Sequence, residues 1–345
     1  MAYALSIERL SFSYGRNQVL KAIDLRVSPG QFVSVVGPDG AGKTTLVKLL
    51  SGVLKPQSGQ IKIFGYDTPK NFAKVKPLLG YLSQSFSLYG DLSVDENLEF
   101  FAEIHRIKNF KERREELLEF TGLKPFRRRI ALKLSGGMKQ KLALACTLIH
   151  EPRLIFLDEP TTGVDPVARR DFWILLSKLI QRGLTVFMTT PYLDEAERSD
   201  LVAMLYAGQV LYAEKPEKVR MLLPYQVFEL MVPQLREVYE LLKAKGLMLE
   251  LFGDRLNLLL PKDESNLDNI EQILKTRGIN EHTLTPKEAS LENVFIWLIR
   301  KKAEGQADSS SASGIAPSAQ VKDPCGRDLF CAIKGLVRKK KHLKE

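Results

Sequence analysis

Cysteine and histidine are scarce in this 345-residue chain, which has three of one and four of the other, and long apolar runs are missing. Cys146, Cys325 and Cys331 neither form a disulfide framework nor fall at a zinc spacing. Cys146 lies in the apolar run Leu142–Cys146, where the expected role is a small buried thiol. No stretch approaches the roughly 18 consecutive apolar residues of a membrane-spanning helix. The first ten residues lack a basic region followed by a long apolar run, so no secretory signal is expected. These absences point to a cytosolic protein. The composition, 44% hydrophobic and 27% charged, is that of an ordinary globular chain, long enough for one large domain and a smaller one. The formal charge of +10 is uneven: from Val321 onward eight basic residues oppose three acidic ones, so +5 of it sits in the last 25 residues.

Residues 37–44 read Gly-Pro-Asp-Gly-Ala-Gly-Lys-Thr, a complete phosphate-binding loop. The apolar run Phe32–Val36 before it suits a buried strand, and Thr45–Leu50 after it suits a helix with an apolar face. Gly37, Gly40 and Gly42 let the backbone curl so that successive N–H groups point at one anion, at the positive end of the helix dipole. Lys43 then reaches the β- and γ-phosphates, and the Thr44 hydroxyl ligates Mg²⁺. The expected nucleotide-binding residues are Gly37, Pro38, Asp39, Gly40, Ala41, Gly42, Lys43, Thr44 and Thr45.

Short strands are expected over 5–36, with turns at 14–17 and 28–30, then a strand at 60–64 and a mostly helical stretch from Ser93 to about Leu148. Strand-like runs return at 154–157, 185–188 and 201–206. Strands alternating with helices indicate an α/β core with a largely parallel sheet. Near Pro216 the character changes, and strands at 226–232, 248–252 and 256–260 interleave with helices near 236–245 and 269–275, an α+β accessory domain. The expected divisions are a main domain over 1–220 with a helical subdomain at about 85–150, an accessory domain over 221–302, a Ser/Ala/Gly-rich flexible linker over 303–322 and a basic tail over 323–345.

Two further segments give the loop its chemistry. Leu154–Leu157 is an apolar strand ending in Asp158 and Glu159. Asp158 can hold Mg²⁺ opposite Thr44, and Glu159 can accept a proton from the water that attacks the γ-phosphate. Leu134–Gln140 (Leu-Ser-Gly-Gly-Met-Lys-Gln) opens a helix, and Ser135, Gly136 and Gly137 make a second anion-binding nest. If the two nests lie far apart, a second copy of the chain supplies the other one.

In this order the motifs resemble the ATP-binding-cassette (ABC) ATPases over roughly the first 220 residues. Gly37–Thr44 matches the family's Walker A loop and Leu154–Glu159 its Walker B strand with catalytic Glu. Leu134–Gln140 matches the signature, with Met138 in place of the more usual Gln. Gln84 matches the Q-loop residue that links Mg²⁺ to the helical subdomain, Tyr14 the aromatic that stacks on adenine, and Gly163–Asp165 the D-loop. The resemblance implies a P-loop NTPase core with antiparallel β and helical subdomains. It also implies ATP and Mg²⁺ as cofactors and head-to-tail pairing with a second ABC ATPase domain, identical or not, so that ATP lies between one chain's Walker A and the other's signature. Lys43, Glu159 and Gln84 are then catalytic, Thr44, Gln84 and Asp158 surround the metal, and Ser135–Gly137 serve the partner's site.

The region Tyr89–Leu98 looks like the exporter branch, in which it receives a coupling helix from an integral membrane permease. The segment ending Glu288–Phe295 is similar to the C-terminal extension of bacterial drug- and antibiotic-export cassettes. The chain is thus expected on the inner face of the cell membrane, peripheral and cytoplasmic, with the permease as a separate chain and no specific nucleic acid as partner. It departs from the family at Pro191, in Met188-Thr189-Thr190-Pro191-Tyr192, where a histidine contacting the γ-phosphate is usual. Proline has neither a side-chain donor nor an N–H, so slow hydrolysis is expected at the site built on Lys43 and Glu159. The segment 332–338 resembles the opening strand of a second cassette; a truncated tandem ATPase and a plain disordered basic tail both fit it. Two other functions stand as alternatives, a non-hydrolysing regulatory cassette and a soluble ABC protein acting on nucleic acid or the ribosome.

Overall fold

Alternating apolar residues in the first thirty positions build two long strands. The computed structural model describes residues 3–85, 87–262 and 267–310. It pairs β1 (Leu5–Tyr14) with β2 (Asn17–Val27) across a turn where Gly15 holds a φ of +58°, a conformation glycine adopts freely. β3 (Phe32–Val36) leads into α1 (Lys43–Leu50), followed by β4 (Ser58–Ile63), β5 (Tyr66–Asp67), α2 (Thr68–Val75) and β6 (Leu79–Leu82). A helical stretch comprises α3 (Val94–Ile104), α4 (Phe110–Thr121) and α5 (Gly136–Leu148). Then come β7 (Leu154–Asp158), α6 (Pro166–Gln181), β8 (Thr185–Thr190), α7 (Leu193–Ala196), β9 (Leu201–Tyr206) and β10 (Gln209–Glu214).

The strands form an antiparallel sheet, β2-β1-β4-β5, and a six-stranded sheet, β10-β9-β3-β8-β7-β6. The second is parallel except where β10 meets β9. Strands covered on both faces read as unbroken apolar runs, and β7 shows why. Its Leu154 and Phe156 pack with the antiparallel sheet and α1, while Ile155 and Leu157 pack against the layer of α3, α4, α5 and α6. A capping box starts α3: Ser93 Oγ accepts from the Glu96 amide at 3.2 Å and the Ser93 amide donates to Glu96 Oε2 at 2.7 Å. In the parallel register Val36 lies beside Thr190, Thr189 beside Asp158, and Leu157 beside Leu82. The loops carrying Gly37, Pro191, Glu159 and Gln84 therefore leave from one edge of the sheet, the carboxyl edge at which open α/β sheets bind ligands.

The chain divides into two compact units between Pro216 and Glu217, within α8 (Pro216–Met221). The second unit holds β11 (Tyr225–Met231), α9 (Leu235–Ala244), β12 (Met248–Phe252), β13 (Arg255–Pro261), α10 (Leu267–Thr276), β14 (Thr283–Lys287) and α11 (Leu291–Ser310). Its antiparallel sheet, β12-β13-β11-β14, packs Leu230, Leu256 and Leu258 against Val238 and Leu242 of α9 and Ile270 and Leu274 of α10. β14 is absent from the sequence expectation because Pro286 interrupts it; as an edge strand it tolerates proline. The linker expected from 303 is corrected at its start: α11 continues to Ser310, since Lys301–Ala303, Glu304 and Gln306–Ala307 are good helix formers. The rest of that segment, the basic tail, Cys325, Cys331 and the resemblance at 332–338 lie outside the described residues. Among the described residues no helix is long and apolar enough to cross a membrane.

Candidate nucleotide-binding site

The loop after β3 needs its glycines for different reasons. Gly40 and Gly42 hold φ values of +81° and +106°. At Gly37 a Cβ would lie 2.2 Å from the Leu205 carbonyl oxygen, so no side chain fits. α1 begins on Gly42 with no side-chain cap, which leaves its first N–H groups for an anion. Lys43 is buried, and its Nζ donates to the Gly37 and Pro38 carbonyls at 2.9 and 3.1 Å. The same ammonium lies 3.2 Å from Glu159 Oε1, a buried ion pair linking the loop to the end of β7.

Each carboxylate at that end has its own environment. Thr44 Oγ1 donates to Asp158 Oδ1 at 3.2 Å, and Thr189 Oγ1 donates to the same oxygen at 2.7 Å. Burial pushes the Asp158 carboxyl above its usual range, opposed by these two hydroxyls and by Lys43. Burial and the Asp158 charge together push the neighbouring Tyr81 phenol up to about 12. Glu159 turns into the left-handed region at φ +48°, and its amide donates to Thr189 Oγ1 at 3.1 Å. Its Oε2 accepts from Gln84 Nε2 and from Thr162 Oγ1, both at 3.3 Å. Glu159 is therefore aimed by contacts, with one oxygen on Lys43 and the other on Gln84 and Thr162.

These residues fit a nucleotide with its metal. Thr44 Oγ1 and Asp158 Oδ1 are adjacent hard oxygen donors, the small protein share that Mg²⁺ takes beside phosphate oxygens. Gln84 enters the same cluster through Glu159. Tyr14 is half exposed at the end of β1, edge-on to Phe12, and two residues beyond its strand partner Asn17 is Val19, against which a Cβ on Gly42 would press. Ser135 caps α5, its Oγ accepting from the Met138 amide at 3.3 Å, and Ser135 and Gly136 are exposed while Gly137 is buried. Pro191 is buried directly after β8. In the first unit His105 and His150 stack with ring centroids 3.7 Å apart, and His150 contacts the Leu79 carbonyl at the start of β6, the strand end away from Gln84.

Several contacts escape a reading of the sequence. Thr189 touches Asp158 and the Glu159 amide, Gln140 Nε2 donates to the Pro160 carbonyl from within α5, and Glu195 gathers Thr161 and Thr190. Each lies 20 or more residues from its partner, except that Thr190 and Glu195 are five apart. The local signals are the Thr-Thr pair that ends β8 and the place of Gln140 at the end of the signature segment.

Known proteins resemble this chain along four-fifths of its length or more. The profile of the family described as ABC transporter matches residues 20–162. The chain is 39% identical over 285 residues to the probable multidrug ABC transporter ATP-binding protein YbhF of Escherichia coli, covering 80% of this chain and 48% of that protein. This chain thus spans about half the length of that relative. It is 33% identical over 303 residues to the daunorubicin resistance ATP-binding protein DrrA3 of Streptomyces coeruleorubidus, covering 86% and 95% of the two chains. Among solved structures it is similar to the dimeric, ADP- and Pi-bound ATP-binding cassette MJ0796, with a TM-score of 0.54 and 28% identity, covering 61% of this chain and 98% of that one. A structure titled as the ATP-binding subunit of an ABC transporter matches with a TM-score of 0.59 and 28% identity, covering 64% and 92%. Kinship along four-fifths of the chain and a phosphate loop facing paired carboxylates lead to one conclusion: the chain belongs to the ABC transporter family, among its ATP-binding proteins.

Proposed function

We propose that this chain binds ATP with Mg²⁺ and hydrolyses it to drive export through a separate membrane permease, after pairing with a second cassette. The observation that carries the reading is the buried Lys43–Glu159 pair at 3.2 Å beside the Thr44–Asp158 contact, all at the carboxyl edge of one parallel sheet. When bound, ATP supplies the phosphoanhydride bond and Mg²⁺ neutralises its oxygens. The chain's residues do the rest. The N–H groups from Gly40 to Thr45 and the Lys43 ammonium hold negative charge, Thr44 and Asp158 hold the cation, and Glu159 takes the proton of the attacking water. Gln84 and Thr162 fix the direction of Glu159.

The exposed Ser135 and Gly136 at the start of α5 favour pairing, since a partner's nucleotide can reach them there. Export is favoured by the names of the relatives, and the segment 221–302 is read as the accessory domain of that branch. The chain then works at the cytoplasmic face of the membrane. Trapping of a closed pair tests this: Glu159→Gln, with ATP, should co-purify a membrane permease that the native chain releases, and the absence of any integral membrane protein would overturn the export reading.

A second reading, a regulatory cassette that binds ATP and turns it over slowly, is favoured by Pro191. Pro191→His should then raise single-turnover hydrolysis in the assembled complex by about tenfold or more, the usual scale of one positioned proton-transfer or charge-stabilising group being larger still. An unchanged rate would leave Glu159 and its neighbours as sufficient.

A further inference from the structure

Glu195 has no role assigned to it at the nucleotide site, yet the turn after Glu159, α6 and the end of β8 converge on it. Only 1% of its surface is exposed. Its Oε1 accepts from Thr161 Oγ1 at 2.6 Å, Arg169 Nε at 2.7 Å and Trp173 Nε1 at 3.4 Å. Its Oε2 accepts from Thr190 Oγ1 at 2.6 Å. Thr161 belongs to the turn after Glu159, Arg169 and Trp173 to α6, and Thr190 to the end of β8. A buried carboxylate left without such partners would be costly, so the pairing with Arg169 and the hydroxyls fixes all three segments to one point.

Thr161, one of the partners of Glu195, is two residues beyond Glu159. Thr161 is followed by Thr162, whose hydroxyl donates to Glu159 Oε2 at 3.3 Å and whose amide donates to the Glu159 carbonyl at 3.2 Å. The Val164 amide returns to the Thr161 carbonyl at 3.3 Å, and Asp165 then caps α6 through the Ala168 amide at 2.9 Å. On the other side, the Tyr192 amide donates to Thr190 Oγ1 at 3.0 Å, so the loop carrying Pro191 is anchored by the same hydroxyl that Glu195 holds. Proline brings that loop no donor of its own. The Arg169 guanidinium also pairs with Asp194 at 3.2 Å and lies 4.6 Å from the Tyr192 ring centroid, closing the loop onto α6.

We propose that Glu195 is a positioning residue for ATP hydrolysis: it sets the turn 160–165, and through Thr161 and Thr162 the direction of Glu159, and couples that turn to α6 and to the loop after β8. The inference rests on Glu159 acting on the attacking water, as proposed above. In free energy it acts through geometry, since a misplacement of about 1 Å in a reacting group can cost on the order of a hundredfold in rate.

The test uses the full chain and two substitutions of similar size, Glu195→Gln and Thr161→Val, with Thr161→Ser as the restoring control. Amide hydrogen exchange, measured without nucleotide, should quicken by about tenfold or more over residues 160–165 and 189–192 while the rest of the first unit stays within about twofold. ATP affinity should stay within about threefold while kcat falls by about tenfold or more, and Thr161→Ser should behave as the native chain. Unchanged exchange in those two segments, faster exchange throughout the unit, or an equal loss of affinity and kcat would overturn the proposal. Glu159→Gln in the same assays separates the two readings. If it hydrolyses normally, the role of Glu159 fails, while local exchange in the Glu195 variants still reports whether the turn is held from there.

Discussion

Thr189 keeps two adjacent carboxylates in separate roles. Its hydroxyl donates to Asp158 Oδ1 at 2.7 Å and accepts from the Glu159 amide at 3.1 Å, so the strand end is held with Asp158 facing Thr44 and Glu159 turned to Lys43. Thr189→Val keeps the volume and removes both bonds. The Glu159 amide retains its bond to the Thr189 carbonyl at 3.0 Å, so the loss in stability should be limited to about 1–2 kcal/mol. Asp158 loses its shorter donor, and the Mg²⁺ concentration for half-maximal hydrolysis should rise several-fold; an unchanged Mg²⁺ dependence would deny Thr189 this role. The carboxylates and Lys43 are legible in the sequence because their chemistry demands fixed neighbours within a few residues. The contacts of Thr189, Thr161, Gln140 and Glu195 are not. Thr189, in an apolar strand, reads as an ordinary strand former, and its partner 31 residues away leaves no local trace; nor does the partner of Thr161, 34 residues away.

Among the elements, β7 stands out in the sequence because burial on both faces makes an unbroken apolar run, and the loop into α1 because its glycines and Lys-Thr pair follow the phosphate-binding pattern. β14 does not, because an exposed edge strand with a proline carries no such pattern. The closeness of α5 to α6 is equally hidden, although one glycine depends on it. A Cβ on Gly137 would lie 2.3 Å from the Ala168 Cβ, whereas one on Gly136 would meet open space. Gly137→Ala should therefore force the two helices apart and cost about 1–3 kcal/mol. Gly136→Ala should be neutral or stabilising by up to about 1 kcal/mol, from helix propensity. Adding Ala168→Gly to Gly137→Ala removes the opposing methyl, so the pair should cost less than the sum of the two single changes. Urea unfolding of the four variants checks this, and strictly additive losses would mean that the helices do not press on each other at this point.

Across the whole molecule the two units treat buried acid differently. In the first, Glu159 and Glu195 have Lys43 and Arg169 in contact. In the second, Glu250 on β12 is 6% exposed, and its Oε2 accepts from Asn293 Nδ2 at 2.6 Å. Its Oε1 and the Oδ1 of Asn257, its neighbour across the β12–β13 pair, lack hydrogen-bond partners among the described residues. Burial pushes the Glu250 carboxyl up to about 7 from the usual 4.5; the Asn293 bond and the Arg300 charge pull the other way, and the Glu292 charge adds to the rise. Glu229, the acid on β11 in register with Asn257, is held low by its bond from Lys287 and secondarily by Arg255, and so stays charged. A protonated Glu250 can donate to Asn257; an ionised one cannot. Between pH 4.5 and about 7 the folded unit thus keeps a proton that the unfolded chain has released. By linkage its stability falls as pH rises through that window and is level above it. Glu250→Gln supplies a neutral donor at every pH, so it should abolish the slope and stabilise the unit at pH 8 by on the order of 3 kcal/mol. Amide exchange of β12 and β13 at pH 5 and pH 8 measures this directly. The native chain should lose protection there on going to pH 8, beyond the ordinary base-catalysed increase, and the Gln variant should not; equal pH dependence in the two would show that Glu250 is ionised throughout.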